Sequence, residues 1–290
     1  MRLLTVRILT DSGSDLPLQF FKENNVTLFS LGVHLDGQDY EDIATINPVK
    51  VFEAMRNGSA PKTSQVPPHR FKEVFTEIAK EKQSAVYISF SSQLSGTYQT
   101  AVMMSEEVRE EYPDLDLTIV DTKCASLGQG LVVKAAAELA SKGASKDEVV
   151  NLAKFYSTHM EHLFTVDDLE YLARGGRISK ASAFVGGLLN IKPLLNVEDG
   201  KLIPLEKIRG KKKVYKRIVE LMEERGTDLS KQTIGISHGD VENEALEVKK
   251  LFEEKFGCNS FFINVIGAAI GSHAGPGTIA IFFLDELPNS

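Results

Sequence analysis

Three short segments of the chain collect side chains able to grip an anion. The first, Ser91-Ser92-Gln93-Leu94-Ser95-Gly96-Thr97, joins an apolar run, Ala85 to Phe90, to a stretch of helical spacing from Tyr98 to Tyr112. A turn in that place aims unpaired backbone N–H groups and hydroxyls at one point, and the start of the helix adds the positive end of its dipole. The second is Thr63-Ser64-Gln65-Val66-Pro67-Pro68. Its double proline keeps the backbone extended, so the two hydroxyls are not needed as helix caps and are available to a ligand. The third, Gly267 to Thr278, sets four glycines and Pro276 around His273 between two apolar runs. Glycines let backbone approach a ligand closely, and His273 is the one ionisable side chain of this loop. A further turn, Asp11-Ser12-Gly13-Ser14-Asp15, reads first as a tight turn in which Ser14 or Asp15 caps the next helix, any ligand role being secondary.

Other chemistries leave no pattern. No Gly-x-x-x-x-Gly-Lys-Ser/Thr segment occurs to bind nucleotide phosphates, and no Gly-x-Ser-x-Gly elbow presents a nucleophile. Gly128-Gln129-Gly130 lacks the third glycine of a dinucleotide fingerprint and reads as a helix-packing feature. His159 and His162 are three residues apart, but without a supporting carboxylate or cysteine pattern they read as structural, and no metal or cofactor is expected. Cys124 and Cys258 lie far apart and read as buried thiols. A rival chemistry stays open, in which Ser95 is the nucleophile and His273 the base of a hydrolase or transferase acting on a small acyl substrate. A lipid-responsive regulatory protein is a third reading.

The elements that must position these groups alternate. Val6 to Thr10 reads as a strand running into the Asp11 to Asp15 turn and a helix over Leu16 to Glu23. Val26 to Leu35 is strand-like, Asp36-Gly37 is a hairpin signal, and Asn47-Pro48 starts a short helix to Arg56. A helix over Phe71 to Glu81, a strand over Ala85 to Phe90, a helix over Tyr98 to Tyr112, a strand over Leu117 to Asp121 and a helix over Ser126 to Lys142 follow. Strands alternating with helices predict a mostly parallel sheet, with ligands beyond the carboxyl ends of its strands, where the Ser91 to Thr97 turn falls. Further on, a hairpin with Asp199-Gly200 at its tip, helices over Val214 to Arg225 and Val241 to Phe256, and strands over Thr233 to Ser237, Ser260 to Val265 and Ile279 to Leu284 predict a second unit with antiparallel pairing. The expected fold class is α/β. It has two domains: residues 1–160, an N-terminal mostly parallel sheet flanked by helices with a hairpin and helix inserted at about 36–62, and residues 161–290, a C-terminal α/β domain with a mixed or antiparallel sheet. The ligand would sit between them.

Composition agrees. A chain of 290 residues, 42% hydrophobic and 25% charged, can bury more than one core. No apolar run approaches a membrane span, and the first residues lack a signal-peptide core, so a cytoplasmic protein is expected. The net charge of −7 disfavours nucleic acid as a partner. Against that background two segments are unusual. Phe184 to Leu195 is apolar with a Gly186-Gly187 break and suits either a core or the wall of an apolar tunnel. Lys207 to Arg217 holds seven cations in eleven residues, several of them where a helix begins and its dipole disfavours positive charge, which points to an anionic group or a partner.

Taken together, Asp11-Ser-Gly-Ser-Asp15, Thr63-Ser-Gln-Val-Pro67, Ser91-Ser-x-x-Ser95-Gly96-Thr97-Tyr98, Asp121-Thr122, Leu172-Ala-Arg174-Gly-Gly-Arg177-Ile178, Arg209-Gly-Lys-Lys212 and Gly271-Ser-His273-Ala-Gly-Pro-Gly277 resemble the DegV family, in that family's order and over nearly the whole chain. The resemblance implies a protein that binds a long-chain fatty acid, of the kind (FakB type) that serves the bacterial fatty acid kinase system and phospholipid metabolism. It implies that Thr63, Ser95 and His273 hold the carboxylate, with the Gly96 amide at the helix start beside them. It implies that Arg174 and Arg209 meet a separate ATP-dependent kinase subunit that makes the acyl phosphate, with Arg177 and Lys211 to Lys213 as a wider docking surface. On that reading the chain is a lipid-binding subunit with no catalysis of its own, and peripheral or transient membrane contact is compatible with it.

Overall fold

The computed structural model describes residues 6–178 and 190–288. The Phe184 to Leu189 part of the apolar Gly-Gly segment lies outside the described residues.

An all-parallel sheet starts with β1 (Arg7–Asp11) and β2 (Thr27–Phe29), separated by a 3-10 turn (Ser12–Ser14) and α1 (Leu18–Glu23). The chain then leaves this sheet to build a small antiparallel one from β3 (Gly32–Leu35), β4 (Gln38–Glu41) and β5 (Lys62–Ser64), in the order β4-β3-β5, with α2 (Pro48–Arg56) between the last two. The predicted Val26 to Leu35 strand is therefore two strands in two sheets. Asp36 and Gly37 both take positive φ, as the tight turn between β3 and β4 demands. Helix α3 (Pro68–Glu81) returns the chain to the parallel sheet at β6 (Ala85–Ser89), followed by α4 (Thr97–Glu111), β7 (Leu117–Asp121), α5 (Leu127–Ser141) and α6 (Lys146–His159). The sheet order is β2-β1-β6-β7. Every residue of β6 is buried, which is why it reads Ala-Val-Tyr-Ile-Ser without alternation.

The remaining chain builds a six-stranded sheet from β8 (Met160–Thr165), β9 (Ile191–Glu198), β10 (Lys201–Arg209), β11 (Thr233–His238), β12 (Ser260–Val265) and β13 (Ile279–Leu284), in the order β10-β9-β8-β13-β11-β12. Only the β11–β12 pair is parallel, so this sheet is mixed. Between strands lie α7 (Glu170–Arg174), α8 (Lys211–Arg225), α9 (Glu242–Phe256) and α10 (Ala268–Ala274). The α/β class and the parallel-then-mixed arrangement agree with the sequence.

Three local features depart from the spacing-based reading. Helix α6 and strand β8 are not among the expected elements, although Ser145 and Glu148 form a full capping box at the start of α6. The Gly267 to Thr278 segment is not a plain loop, because Ala268–Ala274 closes into helix α10 with His273 in its last turn. Neither Ser14 nor Asp15 caps α1: that helix starts after Pro17 with no side-chain cap, while Asp11 caps the 3-10 turn by accepting from the Gly13 amide at 3.0 Å.

Strand β13 shows how the core is shared. Its residues Ile279, Ile281 and Phe283 face a cluster under α8 and α9, whereas Ala280, Phe282 and Leu284 face a second cluster that also holds Ile88 of β6, Leu127 of α5 and Phe164 of β8. The parallel sheet and the mixed sheet thus meet across a common apolar layer, and α5 runs through it. Both cysteines are free and buried, and burial pushes the Cys124 thiol far up.

Candidate functional site

A cavity of about 1050 Å³, counted out to its open mouth, occupies this shared layer. Its long wall follows β13 and β8, which pair Ala280 with Phe164 and Phe282 with His162. From Thr278 at one end to Phe282 at the other is roughly 13 Å at about 3.3 Å per strand residue. Leu172, Val197 and Leu202 complete an apolar interior.

One cluster of polar groups lines the cavity beside α4 and α10. Thr63 sits on the edge strand β5, paired with Val33 across β3. Its Oγ1 lies 2.7 Å from His273 Nε2, a contact spanning 210 residues of sequence. Burial, aided by the charge of Arg177, pushes His273 down to about 4, so the imidazole is neutral near pH 7. Gly175 packs against the other side of that ring: a Cβ there would stand 2.1 Å from His273 Nδ1. Ser95 Oγ lies 2.8 Å from Thr97 Oγ1 and accepts the Thr97 amide at 3.3 Å, and Gly96 follows as the residue before α4. With fifteen residues, α4 brings its N-terminal dipole and unpaired amides to the same point.

Two contacts hold the β5 segment against this helix. Gln65 Nε2 donates to Thr100 Oγ1 at 2.7 Å, and the Val66 amide donates to Thr97 Oγ1 at 3.4 Å. Gln65 also explains the glycine at 96, since a Cβ there would lie 2.3 Å from Gln65 Oε1. The structure therefore brings Thr63, Ser95, Gly96 and His273 to one cavity from three separate segments, β5, the turn before α4 and α10.

Residues 5–286 match the family model DegV, described as "Uncharacterised protein, DegV family". The chain is 41% identical over 282 residues to a DegV domain-containing protein of Clostridium perfringens, covering 96% of this chain and 97% of the relative. This chain belongs to the DegV family. Among solved structures it resembles a fatty-acid-binding DegV family protein from Thermus thermophilus, with a TM-score of 0.86 and 33% identity over 96% of this chain and 98% of that one. It also resembles DegV, a fatty acid binding protein from Bacillus subtilis, with a TM-score of 0.83 and 29% identity over 96% and 98% of the two chains.

The three arginines picked out by the DegV resemblance do not share one environment. Arg174 is exposed, 3.6 Å from Glu170 and stacked over the Tyr171 ring, and Arg209 is exposed at the end of β10. Arg177 instead lines the cavity. Its Nε donates to the Leu94 carbonyl at 3.1 Å and a terminal nitrogen donates to the Gly175 carbonyl at 2.6 Å. A cation thus stands beside the Thr63, Ser95 and His273 cluster, for which the sequence suggested hydroxyls, amide and imidazole alone. The basic run is also less free than its sequence implies. Lys211 lies 3.0 Å from Glu244 and 3.2 Å from Asp167, and Arg217 is ringed by Glu206, Glu220 and Glu224, which leaves Lys212 and Lys213 as the exposed neighbours of Arg209.

The geometry does not favour a hydrolase. Among the described residues Ser95 makes no hydrogen bond to His273, whose Nε2 faces Thr63 and whose Nδ1 faces Gly175, so the Ser95–His273 nucleophile–base pair is not assembled and no described carboxylate orients the imidazole.

His162 is the cavity residue that its spacing does not announce. Its Nδ1 lies 3.0 Å from the Met160 carbonyl and its Nε2 accepts the Ala125 amide at 3.3 Å, so the ring is a satisfied, neutral wall, and burial pushes it down to about 4. His159 is elsewhere, 2.8 Å from Asp285, and the two histidines share no site. The signal for His162 is the strand Met-Glu-His-Leu-Phe-Thr, whose alternate residues Met160, His162 and Phe164 face the apolar layer.

Proposed function

We propose that this chain binds a long-chain fatty acid, with the carboxylate at Thr63, Ser95, Gly96 and His273 and the acyl chain in the cavity along β13. The observation that carries this reading is a cluster of neutral donors and a helix start, flanked by Arg177, in the wall of a largely apolar cavity. A carboxylate there trades water for hydroxyl, amide and imidazole partners, and Arg177 offsets its charge, which avoids the cost of an unpaired buried anion. Burying about 15 methylenes at roughly 0.8 kcal/mol each yields a gross gain on the order of 12 kcal/mol, part of which offsets the ordering of the chain. The solved DegV proteins of Thermus thermophilus and Bacillus subtilis, which carry the fatty-acid-binding description, support the same ligand class here.

The finer role proposed rests on the family resemblance. On the DegV resemblance the bound fatty acid is presented to a separate ATP-dependent kinase subunit that makes the acyl phosphate, with Arg174, Arg209, Lys212 and Lys213 as the cationic surface it meets; a sequence without a nucleotide-phosphate loop is in keeping with that division of labour. The chain then acts in the cytoplasm as the lipid-holding subunit, shielding the tail that a free fatty acid would expose. The experiment is to denature the purified protein, extract it with organic solvent and analyse the extract by mass spectrometry. Stoichiometric fatty acid is expected; an empty extract together with no uptake of added palmitate or oleate sinks the proposal.

A further inference from the structure

The Asp11 to Asp15 turn is the motif that the fatty-acid reading leaves without a task. Its carboxylates reach forward rather than back. Asp11 accepts from the Phe90 amide at 2.9 Å and from the Tyr87 hydroxyl at 2.7 Å, at the strand end that delivers Ser91 to Ser95. Asp15 turns the other way. It adopts a left-handed backbone with φ 51°, its carbonyl accepts from Asn264 Nδ2 at 2.7 Å, and its Oδ1 accepts the Gly267 amide at 2.9 Å. Its Oδ2 accepts from Ser126 Oγ, which lies 2.6 Å from Ser237 Oγ. Ser126 pays for this bond with a conformation, φ 55° and ψ −143°, that side-chain-bearing residues seldom adopt.

A second carboxylate faces the same place. Asp42 is fully buried, and both its oxygens lie outside hydrogen-bond geometry, although the Ser12 hydroxyl and the Ala268 and Ala269 amides surround it. A Cβ built on Gly267 would stand 2.8 Å from Asp15 Oδ1 and 3.3 Å from Asp42 Oδ2, so the two acids close on the residue where α10 begins. The far end of this two-turn helix carries His273. Between them Gly271 lies so close to α2 that a Cβ would be 2.7 Å from the Phe52 ring, which leaves the helix little freedom to tilt independently of its first turn.

We infer that Asp15 and Asp42 are positioning residues: Asp15 through its bond to the Gly267 amide, and Asp42 by packing against the same residue, clamp the first turn of α10 and so set where His273 stands opposite Thr63. The clamp rests on the fatty-acid reading only for its purpose, because the placement of His273 follows from contacts within the chain. A buried pair of this kind resists ionising both members, and Asn at either position keeps the shape and one acceptor of a protonated acid.

The test uses full-length protein labelled with 15N-histidine, with resonances assigned through single His replacements, and the variants Asp15→Ala, Asp42→Ala, Asp15→Asn and Asp42→Asn. The Ala variants are expected to shift the His273 imidazole nitrogens while leaving those of His34 in place, and the Asn variants to restore the wild-type spectrum. Palmitate affinity should fall about as far in Asp15→Ala as in His273→Ala, and the double variant should be within about twofold of His273→Ala alone, because residues acting through one another are not additive. Should Asp15→Ala not fold, Gly267→Ala, whose methyl enters the clamp, supplies the same readings. An unmoved His273 spectrum, or fully additive losses in the double variant, overturns the clamp. If the wild-type protein takes up no fatty acid, the functional reading fails, and the imidazole spectrum still decides the clamp by itself.

Discussion

Replacing His273 by Ala is the sharpest probe of the Thr63, Ser95 and His273 cluster. The imidazole lies 2.7 Å from Thr63 Oγ1 and, held down to about 4 by burial and by Arg177, is neutral from about pH 6 to about pH 8. On the proposed reading it would therefore meet the carboxylate first as a hydrogen-bond partner and not as a counter-ion. A hydrogen bond to a charged group contributes about 1.5–3 kcal/mol, so the variant should bind palmitate about 10- to 150-fold more weakly. The acyl chain keeps its gross burial of roughly 12 kcal/mol, so binding weakens without vanishing. Burial and Arg177 hold the free imidazole neutral, whereas a bound carboxylate shifts it upward, so the ratio of wild-type to variant affinity should be flat near pH 8 and rise toward pH 6. Calorimetric titration of delipidated protein reads both quantities. Gly175→Ala attacks the same ring from its other side, where the new methyl would stand 2.1 Å from Nδ1, and should weaken binding with the histidine still present. Affinities within about twofold of wild type for both variants would refute the assignment of the carboxylate to this end of the cavity.

Two further outcomes follow from the same geometry. His162 is fully buried and pushed down to about 4 from an ordinary 6.5, so the unfolded chain takes up its proton first; the stability this group contributes is complete above about pH 6.5 and is lost as the pH falls toward 4. Asp42, raised to about 6, acts with the opposite sign but is common to both proteins compared, so urea unfolding near pH 7 and near pH 4.5 should show His162→Phe losing about 2–3 kcal/mol less on acidification than wild type; equal losses would mean the ring is not held neutral by burial. Arg209→Glu should leave palmitate affinity unchanged while lowering phosphorylation by a cognate kinase about tenfold, since a reversed rim charge acts on encounter with the partner; a parallel loss of lipid binding would show that Arg209 is not a docking residue alone.

What the sequence discloses about this site, and what it withholds, divides along one physical line. Residue type and local spacing identify groups fit for an anion: the hydroxyls before α4, the extended Thr63 segment and the lone histidine among glycines were all legible because each breaks the economy of a plain turn. Which group meets which is a matter of long-range packing, and that leaves no local trace. Thr63 finds His273 across 210 residues, and Asp15 finds Gly267 across 252. Helix α10 was hidden for a related reason. Two of its seven residues are Gly271 and Ser272, poor helix formers that read as loop, yet Gly271 is there so that the helix can lie on Phe52. Arg177 shows the converse case, in which a charge that the family resemblance assigns to a docking surface is turned toward the cavity by the carbonyls of Leu94 and Gly175. The Asp11 to Asp15 turn resists most, since a capping turn and a clamp use the same residues. Only the observation that α1 takes no cap from either Ser14 or Asp15 frees these acids to be read as the bracket between the two halves of the site.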